Sequence, residues 1–229
     1  MDSIHLSPRL EAVVKHVPQG AIIADIGSDH AYLPAHLLLT NHVRHAIAGE
    51  VAQGPFENVQ HEINRRHLNG KLEARLANGL AAIDTADKVN TVVIAGMGGI
   101  LIQDILSAGH SKNHQFNTLI LQPNTDENVV RSWLNNNHYL IIAEDIVQEG
   151  SHFYEVIVAT PGDSKLSDRE IDFGPYLLQA KSPIFVAKWQ KECDRIQLIL
   201  EHLKDSGNQS TVAYKKWQTN YDRIKELIS

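Results

Sequence analysis

The feature that most limits the fold is a regular alternation of short β-branched runs with longer amphipathic stretches between residues 21 and 159. This alternation is typical of βαβ units, which build a parallel sheet with helices on both faces. Only residues 148–152 separate the last two strands, which predicts a hairpin and an antiparallel final strand. The predicted strands are Ala21–Ile26, His45–Gly49, Leu72–Ala77, Thr91–Ala95, Thr118–Gln122, Tyr139–Val147 and Phe153–Ala159.

Helical patterns flank this α/β segment on both sides. Apolar residues at helical spacing predict an N-terminal helix that begins at Ser7-Pro8 and covers a sheet edge or the mouth of a crevice. A polar, turn-rich stretch after the sheet predicts a boundary near residue 162, which gives domains 1–162 and 163–229. In the second domain, two runs with steps of three and four predict an antiparallel two-helix coiled coil. The runs are Trp189, Cys193, Ile196, Leu200, Leu203 and Tyr214, Trp217, Tyr221, Ile224, Ile228.

Composition excludes several classes of protein. The apolar runs are far shorter than the roughly 20 residues of a membrane span, and the first ten residues lack signal-peptide features. One cysteine, Cys193, excludes an internal disulfide and fits a reducing compartment, so a cytoplasmic protein without a membrane partner is expected. Residues 1–160 carry 10 Lys and Arg against 17 Asp and Glu, whereas residues 161–229 carry 11 against 10. The second domain is therefore the less repulsive half for a nucleic acid.

The first strand ends in Asp25-Ile26-Gly27, followed by a turn into a helix predicted to open near His30. Backbone N–H groups of such a turn point into the crevice, and Gly27 allows close approach and positive φ. A carboxylate at Asp25 suits the ammonium group of a sulfonium amino acid such as S-adenosylmethionine (SAM) better than a pyrophosphate. The alternative is an ordinary turn in which Ser28 or Asp29 caps the helix.

Three further strand ends add groups that fit the same ligand. Glu50 lies about 25 residues beyond Asp25, the spacing of an acidic residue that binds ribose hydroxyls in dinucleotide folds. Asn78-Gly79 offers a side-chain amide for an adenine edge, and glycines crowd the segment 95–99. Each has a simpler alternative, namely a helix cap at Glu50, a plain turn at Asn78-Gly79 and glycine capping in 95–99.

Several motifs together resemble the bacterial tRNA adenine-22 N1-methyltransferases over nearly the whole chain. They are Leu6-Ser7-x-Arg9-Leu10, the segment 24–34 (ADIGSDHAYLP), Asn78-Gly79-Leu80, Ala95-Gly96-Met97-Gly98-Gly99, Leu121-Gln122-Pro123-Asn124 and Phe153-Tyr154-Glu155. The resemblance implies a Rossmann-like class I SAM methyltransferase sheet with a C-terminal coiled-coil domain. It also implies methyl transfer from SAM to N1 of adenine 22 in the D-loop region of tRNA.

The resemblance assigns residues to two groups. The implied cofactor-binding residues are Asp25, Gly27, Glu50, Val51, Asn78, Gly79, Gly96 and Met97. Gln122 lies on the pocket side, and the candidate catalytic residues are Asp29, His30 and Asn124. The product of attack by a ring nitrogen is a cation, which Asp29 could stabilise or help to deprotonate; the alternative role of Asp29 is the helix cap.

A tRNA partner requires positive groups for its phosphates. The candidates are Arg9, Lys188, Lys191, Arg195, Lys215 and Lys216, with Arg65, Arg66 and Lys181 as further possibilities. Each could equally be a solvated surface charge. His110 and His114 lie four apart but have no Cys or carboxylate at ligand spacing, so no metal is predicted.

Two other functions fit the same sequence. A SAM methyltransferase of this fold could act on another RNA, a protein or a small metabolite. A domain that has lost catalysis could bind RNA through its helical pair; the presence of Asp25, Glu50 and Asn78 around one predicted crevice disfavours that second alternative.

Overall fold

The computed structural model, which describes residues 2–110 and 116–229, contains one seven-stranded sheet. Its strands are β1 Ile22–Ile26, β2 His45–Glu50, β3 Leu72–Leu76, β4 Thr91–Gly98, β5 Thr118–Thr125, β6 Tyr139–Glu149 and β7 His152–Pro161. Their spatial order is β3-β2-β1-β4-β5-β7-β6. The first five strands pair in parallel, while β7 pairs antiparallel with both β5 and β6. The predicted α/β sheet with an antiparallel last strand is confirmed.

Among the described residues, the chain forms α-helices before, between and after these strands. They are α1 Pro8–His16, α2 Tyr32–Leu39, α3 Gln53–Arg65, α4 Gly99–His110, α5 Glu127–Asn136, α6 Asp168–Phe173, α7 Pro175–Ala180, α8 Pro183–Asp205 and α9 Val212–Ile228. Short 3-10 turns occupy Gly79–Ala82 and Thr85–Asp87. Helices α1, α2 and α3 pack on one face, while α4 and α5 pack on the other. Among the described residues, no helix is both long enough and apolar enough to cross a membrane.

The strand interiors are buried on both faces, as expected of a parallel sheet covered by helices. Successive residues point to opposite sides: Val93 joins the layer under α1, α2 and α3, while Val92 and Ile94 join the layer under α4 and α5. All three are fully buried. Because the parallel strands run in one direction, β1, β2, β3, β4 and β5 all end at the same edge of the sheet. That edge is where polar groups can gather.

The N-terminal helix begins where the sequence predicts. Ser7 is the N-cap of α1, its hydroxyl accepts a hydrogen bond from the Leu10 N–H, and Pro8 follows as the first helical residue. The helix packs against β6 and β7 at one edge of the sheet. The helix therefore lies on the face of the sheet near this edge, and its residues Arg9 and Leu10 also line the cleft described below.

The chain divides into two compact units, Met1–Gln179 and Ala180–Ser229. The division lies beyond the break predicted near residue 162, because α6 and α7 bond to the sheet unit. Glu144 on β6 accepts hydrogen bonds from the N–H groups of Tyr176 and Leu177 at the start of α7. Arg131 on α5 donates to the carbonyl of Ile171 in α6. A polar, turn-rich stretch in the sequence therefore did not mark the end of the unit.

The second unit contains α8 and α9, which pack against each other. Cys193, Ile196 and Leu200 on α8 are buried, as the three-and-four spacing predicts. On α9, Ile224 is buried as predicted, but Leu227 is buried where the pattern assigned Ile228, which is only half-buried. Near the end of α9, either of two adjacent apolar residues can fill the last contact position. The three-and-four spacing predicted Ile228, whereas Leu227 fills it.

Candidate active site

A cleft of about 620 Å³, open to solvent, lies at the carboxyl edge of the sheet. Its walls come from the start of α1, the end of β1, the loop into α2 and the end of β4. The residues lining it are Arg9, Leu10, Asp25, Gly27, Ser28, Asp29, His30, Tyr32, Leu33, Ala95 and Gly96. The structure thus brings together side chains from the predicted cofactor, catalytic and RNA-binding groups.

Gly27 occupies a position that no other residue fits easily. Its φ of +73° lies in the left-handed region, and its N–H donates to the Gly49 carbonyl at 2.8 Å. A Cβ at this position would lie 1.9 Å from the Met97 Cε atom. The β1–α2 loop and the end of β4, both predicted to hold the cofactor, are therefore in contact.

The loop after Gly27 is held by the two acidic strand ends. The Ser28 hydroxyl donates to Asp25 Oδ2 at 2.5 Å, and the Asp29 N–H donates to the Glu50 carboxylate. Helix α2 begins at Tyr32, slightly later than predicted, and its N-cap Ala31 has φ of +54° and no side-chain cap. The alternative in which Ser28 or Asp29 caps this helix is therefore wrong.

Asp25 and Glu50 are buried at the ends of adjacent strands. Asp25 is 4% exposed, and burial raises its pKa to about 7, helped by the nearby Glu50 and opposed by Ser28 and Arg9. Burial also raises the pKa of Glu50 above its ordinary value, against the effect of the N–H groups of Asp29 and Ser28. A cationic group in the cleft would stabilise the ionised form of Asp25.

The end of β4 is irregular, and its polar groups bond to side chains of β5. The pairing of β4 with β5 shifts register between Ala95 and Met97, and Gly96 has φ of +81°. The Gly96 N–H donates to Gln122 Oε1 at 3.0 Å, and its carbonyl accepts from Asn124 Nδ2 at 2.8 Å. Asn124, predicted as a catalytic candidate, thus uses its amide to hold this backbone.

Arg9 reaches across the cleft from α1. Its Nη1 atom donates to Gln122 Oε1 at 2.6 Å, and its guanidinium lies 5.6 Å from the ring centre of Tyr154. The cation–π contact and the hydrogen bond fix the charge beside the cleft. Sequence reasoning placed Arg9 near the mouth but gave Gln122 no specific role, because a glutamine inside a buried strand has no recognisable pattern.

Asp29 and His30, the other catalytic candidates, lie at the mouth of the cleft. The His30 ring stacks on Tyr32 with ring centres 5.1 Å apart and planes 14° from parallel. His30 Nε2 lies 3.8 Å from Asp29 Oδ1, and both side chains are largely open to solvent. A substrate base entering the cleft would meet these groups first.

The remaining predicted cofactor residues lie along the same edge, beyond Asp25. Val51 follows Glu50 and is 71% exposed. Asn78 is exposed after β3, two strands away from β1 in the sheet. Gly79 has φ of +56°, and a Cβ there would approach Ile105 to 3.2 Å. Val51, Asn78 and Gly79 do not line the cleft around Asp25, so their role in cofactor binding stays a prediction.

The predicted RNA-binding residues of the helical unit differ in their surroundings. Arg195 pairs with Glu192 at 2.6 Å and lies 5.3 Å from the Trp217 ring centre. Lys188 lies 5.1 Å from the Trp189 ring centre. Lys191, Lys215, Lys216 and Lys181 are exposed. The sheet-unit candidates Arg65 and Arg66 both pair with the buried Glu62, which gives them a structural role.

Within residues 2–109 and 116–229, no group of three or more His, Cys, Asp and Glu side chains is placed to hold a metal ion. The pair His110 and His114 falls outside the residues whose side chains the structure describes.

Known proteins resemble this chain over its full length. The protein-family model described as tRNA (adenine(22)-N(1))-methyltransferase matches residues 23–227. A Bacillus subtilis protein of that description is 36% identical over 100% of this chain and 99% of its own.

Solved structures agree with this match. A Streptococcus agalactiae protein of the NADB-Rossmann superfamily is 40% identical, with a TM-score of 0.93 over 100% of this chain and 99% of that one. A Streptococcus pneumoniae structure in complex with S-adenosyl-L-methionine is 41% identical, with a TM-score of 0.90 over 98% of this chain and 100% of that one. Fold, site geometry and family match converge, and this chain belongs to the tRNA (adenine(22)-N(1))-methyltransferase family.

Proposed function

We propose that this chain transfers a methyl group from SAM to N1 of adenine 22 in the D-loop region of tRNA. The observation that carries the proposal is the cleft lined by the buried Asp25, with the buried Glu50 at the end of the adjacent strand, in a chain that belongs to this family. The likeness to a relative solved with SAM supports the same cofactor here. A tRNA substrate assigns the activity to the cytoplasm.

The cofactor assignment follows the order of strand ends along the edge. Asp25 receives the ammonium group, and Glu50 receives the ribose hydroxyls with Val51 beside it. Asn78 and Gly79 receive the adenine, and Gly27, Gly96 and Met97 surround the sulfonium end. The raised pKa of Asp25 supports this fit, because burial disfavours the ionised carboxylate and a cationic ligand would stabilise it.

Bound SAM supplies an electrophilic methyl group on its sulfonium. The protein's contribution is to hold adenine N1 in line with that methyl, about 3 Å away, since both partners are already reactive. Attack by N1 on the methyl carbon would break the methyl–sulfur bond, release neutral S-adenosylhomocysteine and leave a positively charged base. The Asp29 carboxylate at the mouth of the cleft stabilises that charge, and the His30–Tyr32 stack confines the base.

The target adenine must leave the folded tRNA before it can enter the cleft, which costs a few kcal/mol. Phosphate contacts offset this cost. Arg9 at the cleft is the candidate nearest to the base, and Lys188, Lys191, Arg195, Lys215 and Lys216 are the candidates on the helical unit. Residues 180–229 therefore form the proposed tRNA-binding unit.

The deciding experiment incubates the protein with unmodified tRNA transcripts and labelled SAM, then maps the methylated nucleoside. We expect N1-methyladenosine at position 22, and no label in a transcript with guanosine there. Label at another position, in a protein or in a small metabolite would establish the alternative methyltransferase. SAM binding without any transfer would support the non-enzymatic alternative.

The role of Asp29 is tested separately. Asp29→Asn is expected to bind SAM normally and to lower the single-turnover rate by about 10- to 100-fold, because it loses one electrostatic contact to the product charge. Asp104→Asn, the same change at an exposed site on α4, serves as the control. A near-wild-type rate for Asp29→Asn would disprove the role.

A further inference from the structure

Gln122 is a fully buried polar residue at the end of β5, and every hydrogen-bonding position of its amide is used. Its Oε1 atom accepts from Arg9 Nη1 at 2.6 Å and from the Gly96 N–H at 3.0 Å. Its Nε2 atom donates to the Pro123 carbonyl at 2.8 Å and to Asn124 Oδ1 at 3.1 Å. One side chain thus joins α1, β4 and β5 beneath the cleft.

The bonds of Gln122 replace ladder bonds that β4 cannot make. The register shift at Gly96 takes its backbone out of the regular pairing with β5. Its N–H then bonds to Gln122, and its carbonyl accepts from Asn124, whose own oxygen is bonded by Gln122. The two amide side chains therefore determine together where the Gly96 backbone lies.

The same side chain also fixes a charge. Arg9 lies between Gln122 and the Tyr154 ring, and from there it acts on the buried Asp25. Without Gln122, the guanidinium would retain only its weaker contact with the ring. Gly96 and Arg9 both line the cleft, so a movement of either changes the wall against which the reacting groups lie.

We infer that Gln122 is a positioning residue for methyl transfer. Its amide holds the Arg9 guanidinium and the Gly96 N–H directly, and it holds the Gly96 carbonyl through Asn124. This inference rests on the proposed function. Gln122 acts only through these neighbours, since it is fully buried and its amide is bonded on both ends. Misplacement of a reacting group by about 1 Å costs roughly 100-fold in rate, which gives such a residue a large effect.

The test compares Gln122→Leu with Gln19→Leu, the same change at an exposed glutamine in the loop before β1. We expect Gln122→Leu to lower kcat about 100-fold and to change the KM for SAM much less, because the side chains of Asp25 and Glu50 remain in place. Gln122→Glu keeps the acceptor for Arg9 and Gly96 and is expected to recover about tenfold of the lost kcat. Gln19→Leu should match the wild type.

Two readouts do not depend on tRNA. Exchange of the Gly96 amide hydrogen should be about tenfold faster in Gln122→Leu, and partly slowed again in Gln122→Glu. Without Arg9 held beside it, Asp25 should titrate at a higher pH, which shifts the pH dependence of SAM binding in the alkaline direction. A purely structural role would lower the melting temperature and accelerate exchange at Gly96 while kcat and the pH dependence of SAM binding stay unchanged, and that outcome would overturn the inference.

If Gln122→Leu does not fold, Asn124→Ala tests the same inference. Asn124 is exposed, so removal of its side chain leaves the core intact. It should lower kcat about tenfold and accelerate Gly96 exchange, since the carbonyl loses its partner. Unchanged kcat and unchanged exchange in Asn124→Ala would refute the inference. Absence of tRNA methylation by the wild type would refute the proposed function, while the exchange result would still decide whether Gln122 holds Gly96.

Discussion

The sheet unit contains two sets of buried carboxylates, and they differ in the groups that offset the cost of burying a negative charge. Glu144 and Glu155 face the fully buried Arg131, whose Nε atom donates to Glu144 Oε1 at 2.7 Å and whose Nη2 atom donates to Glu155. Asp25 and Glu50, in contrast, bond to a hydroxyl and a loop N–H. A buried carboxylate that pairs with a cation of the protein has a structural role. A buried carboxylate that lacks such a cation is suited to bind a positively charged ligand.

The Arg131 cluster, formed by Arg131, Glu144 and Glu155, also explains how α6 and α7 join the sheet unit. Glu144 accepts N–H groups at the start of α7, and Arg131 donates to a carbonyl of α6. Gly174 connects these helices with φ of +83°, and a Cβ there would lie 2.6 Å from Glu144 Oε2. Burial opposes the charge of Arg131, but Glu155 and Glu144 raise its pKa above the ordinary value. The guanidinium stays charged at any physiological pH.

The largest effect is expected from removing that cation. Arg131→Met leaves two buried carboxylates without the cation that they face, and loss of one partner of a buried ion pair costs about 3–5 kcal/mol. Urea unfolding followed by circular dichroism would measure the loss in the free energy of unfolding.

The matched control is the triple variant Arg131→Met, Glu144→Gln and Glu155→Gln. It removes the charges together and should recover more than half of the lost stability, because neutral amides cost less to bury than unpaired carboxylates. Exposed ion pairs contribute up to about 1 kcal/mol. If Arg131→Met lost less than that in its free energy of unfolding, the Arg131 cluster would not be important for the stability of the sheet unit.

The second effect has the opposite sign. The pKa of Asp25 is about 7 in the folded protein against an ordinary value of 3.8, so the folded state holds a proton that the unfolded chain has released between these values. Stability of the ligand-free protein therefore falls as pH rises through this window. Asp25→Asn removes the ionised form and should stabilise the ligand-free protein at pH 8 by about 2 kcal/mol, while SAM affinity falls at least about tenfold.

The gain from Asp25→Asn should disappear at pH 4, where the folded wild type is protonated at this carboxyl. Thermal unfolding at both pH values and calorimetric titration with SAM provide the two measurements. Asp104→Asn, on the surface of α4, should change neither. If Asp25→Asn destabilised the protein at pH 8, the ionised Asp25 carboxylate would already be stabilised by groups of the protein, as Glu144 and Glu155 are by Arg131. The prediction would then be wrong.

A third effect follows from the same proton. The groups that act on Asp25 are Ser28, Glu50 and Arg9, and together with burial they leave its pKa at about 7. A cationic ligand binds the ionised form, so SAM affinity should rise about tenfold between pH 6 and pH 8 as one proton is released. Asp25→Asn should flatten this dependence, whereas Glu50→Gln should retain it and shift it to lower pH, because Glu50 raises the pKa of Asp25. A flat wild-type profile would contradict the assignment of Asp25 to the ammonium group.

The same comparison shows what a sequence can and cannot reveal. The positions of Asp25, Gly27 and Glu50 were predictable because each lies at or just beyond the end of a short buried strand, and the carboxyl ends of parallel strands meet at one edge. That reasoning needs only local patterns and the topology. The start of α1 at Ser7-Pro8 was predictable for a similar reason, since capping depends on residues next to each other.

The Arg131 cluster had no such signal. An arginine within an amphipathic helix normally marks the solvent face, and only the folded sheet shows that Arg131 meets Glu144 and Glu155. The role of Gln122 was hidden for the same reason, because its partners come from α1 and β4. The end of the sheet unit was misplaced as well, since the contacts that hold α6 and α7 are long-range.

The smallest effects are expected from exposed charges on α8 and α9, which are neither buried nor required by the fold. Arg195 already pairs with Glu192, whereas Lys215 and Lys216 are exposed neighbours on α9. If this unit contacts tRNA, Lys215→Ala with Lys216→Ala should weaken tRNA binding a few-fold and lower the slope of log affinity against log salt by up to about 2.

Arg195→Ala is the matched comparison, because Glu192 partly neutralises the charge of Arg195. We expect this substitution to change the slope by less than about 1. Filter binding at several salt concentrations measures both variants, and SAM affinity should stay constant in each. An unchanged slope in the lysine double variant would remove residues 215 and 216 from the tRNA surface. The phosphate contacts would then come from the remaining candidates, which are Lys188, Lys191 and Arg195 on the helical unit and Arg9, which lines the cleft of the sheet unit.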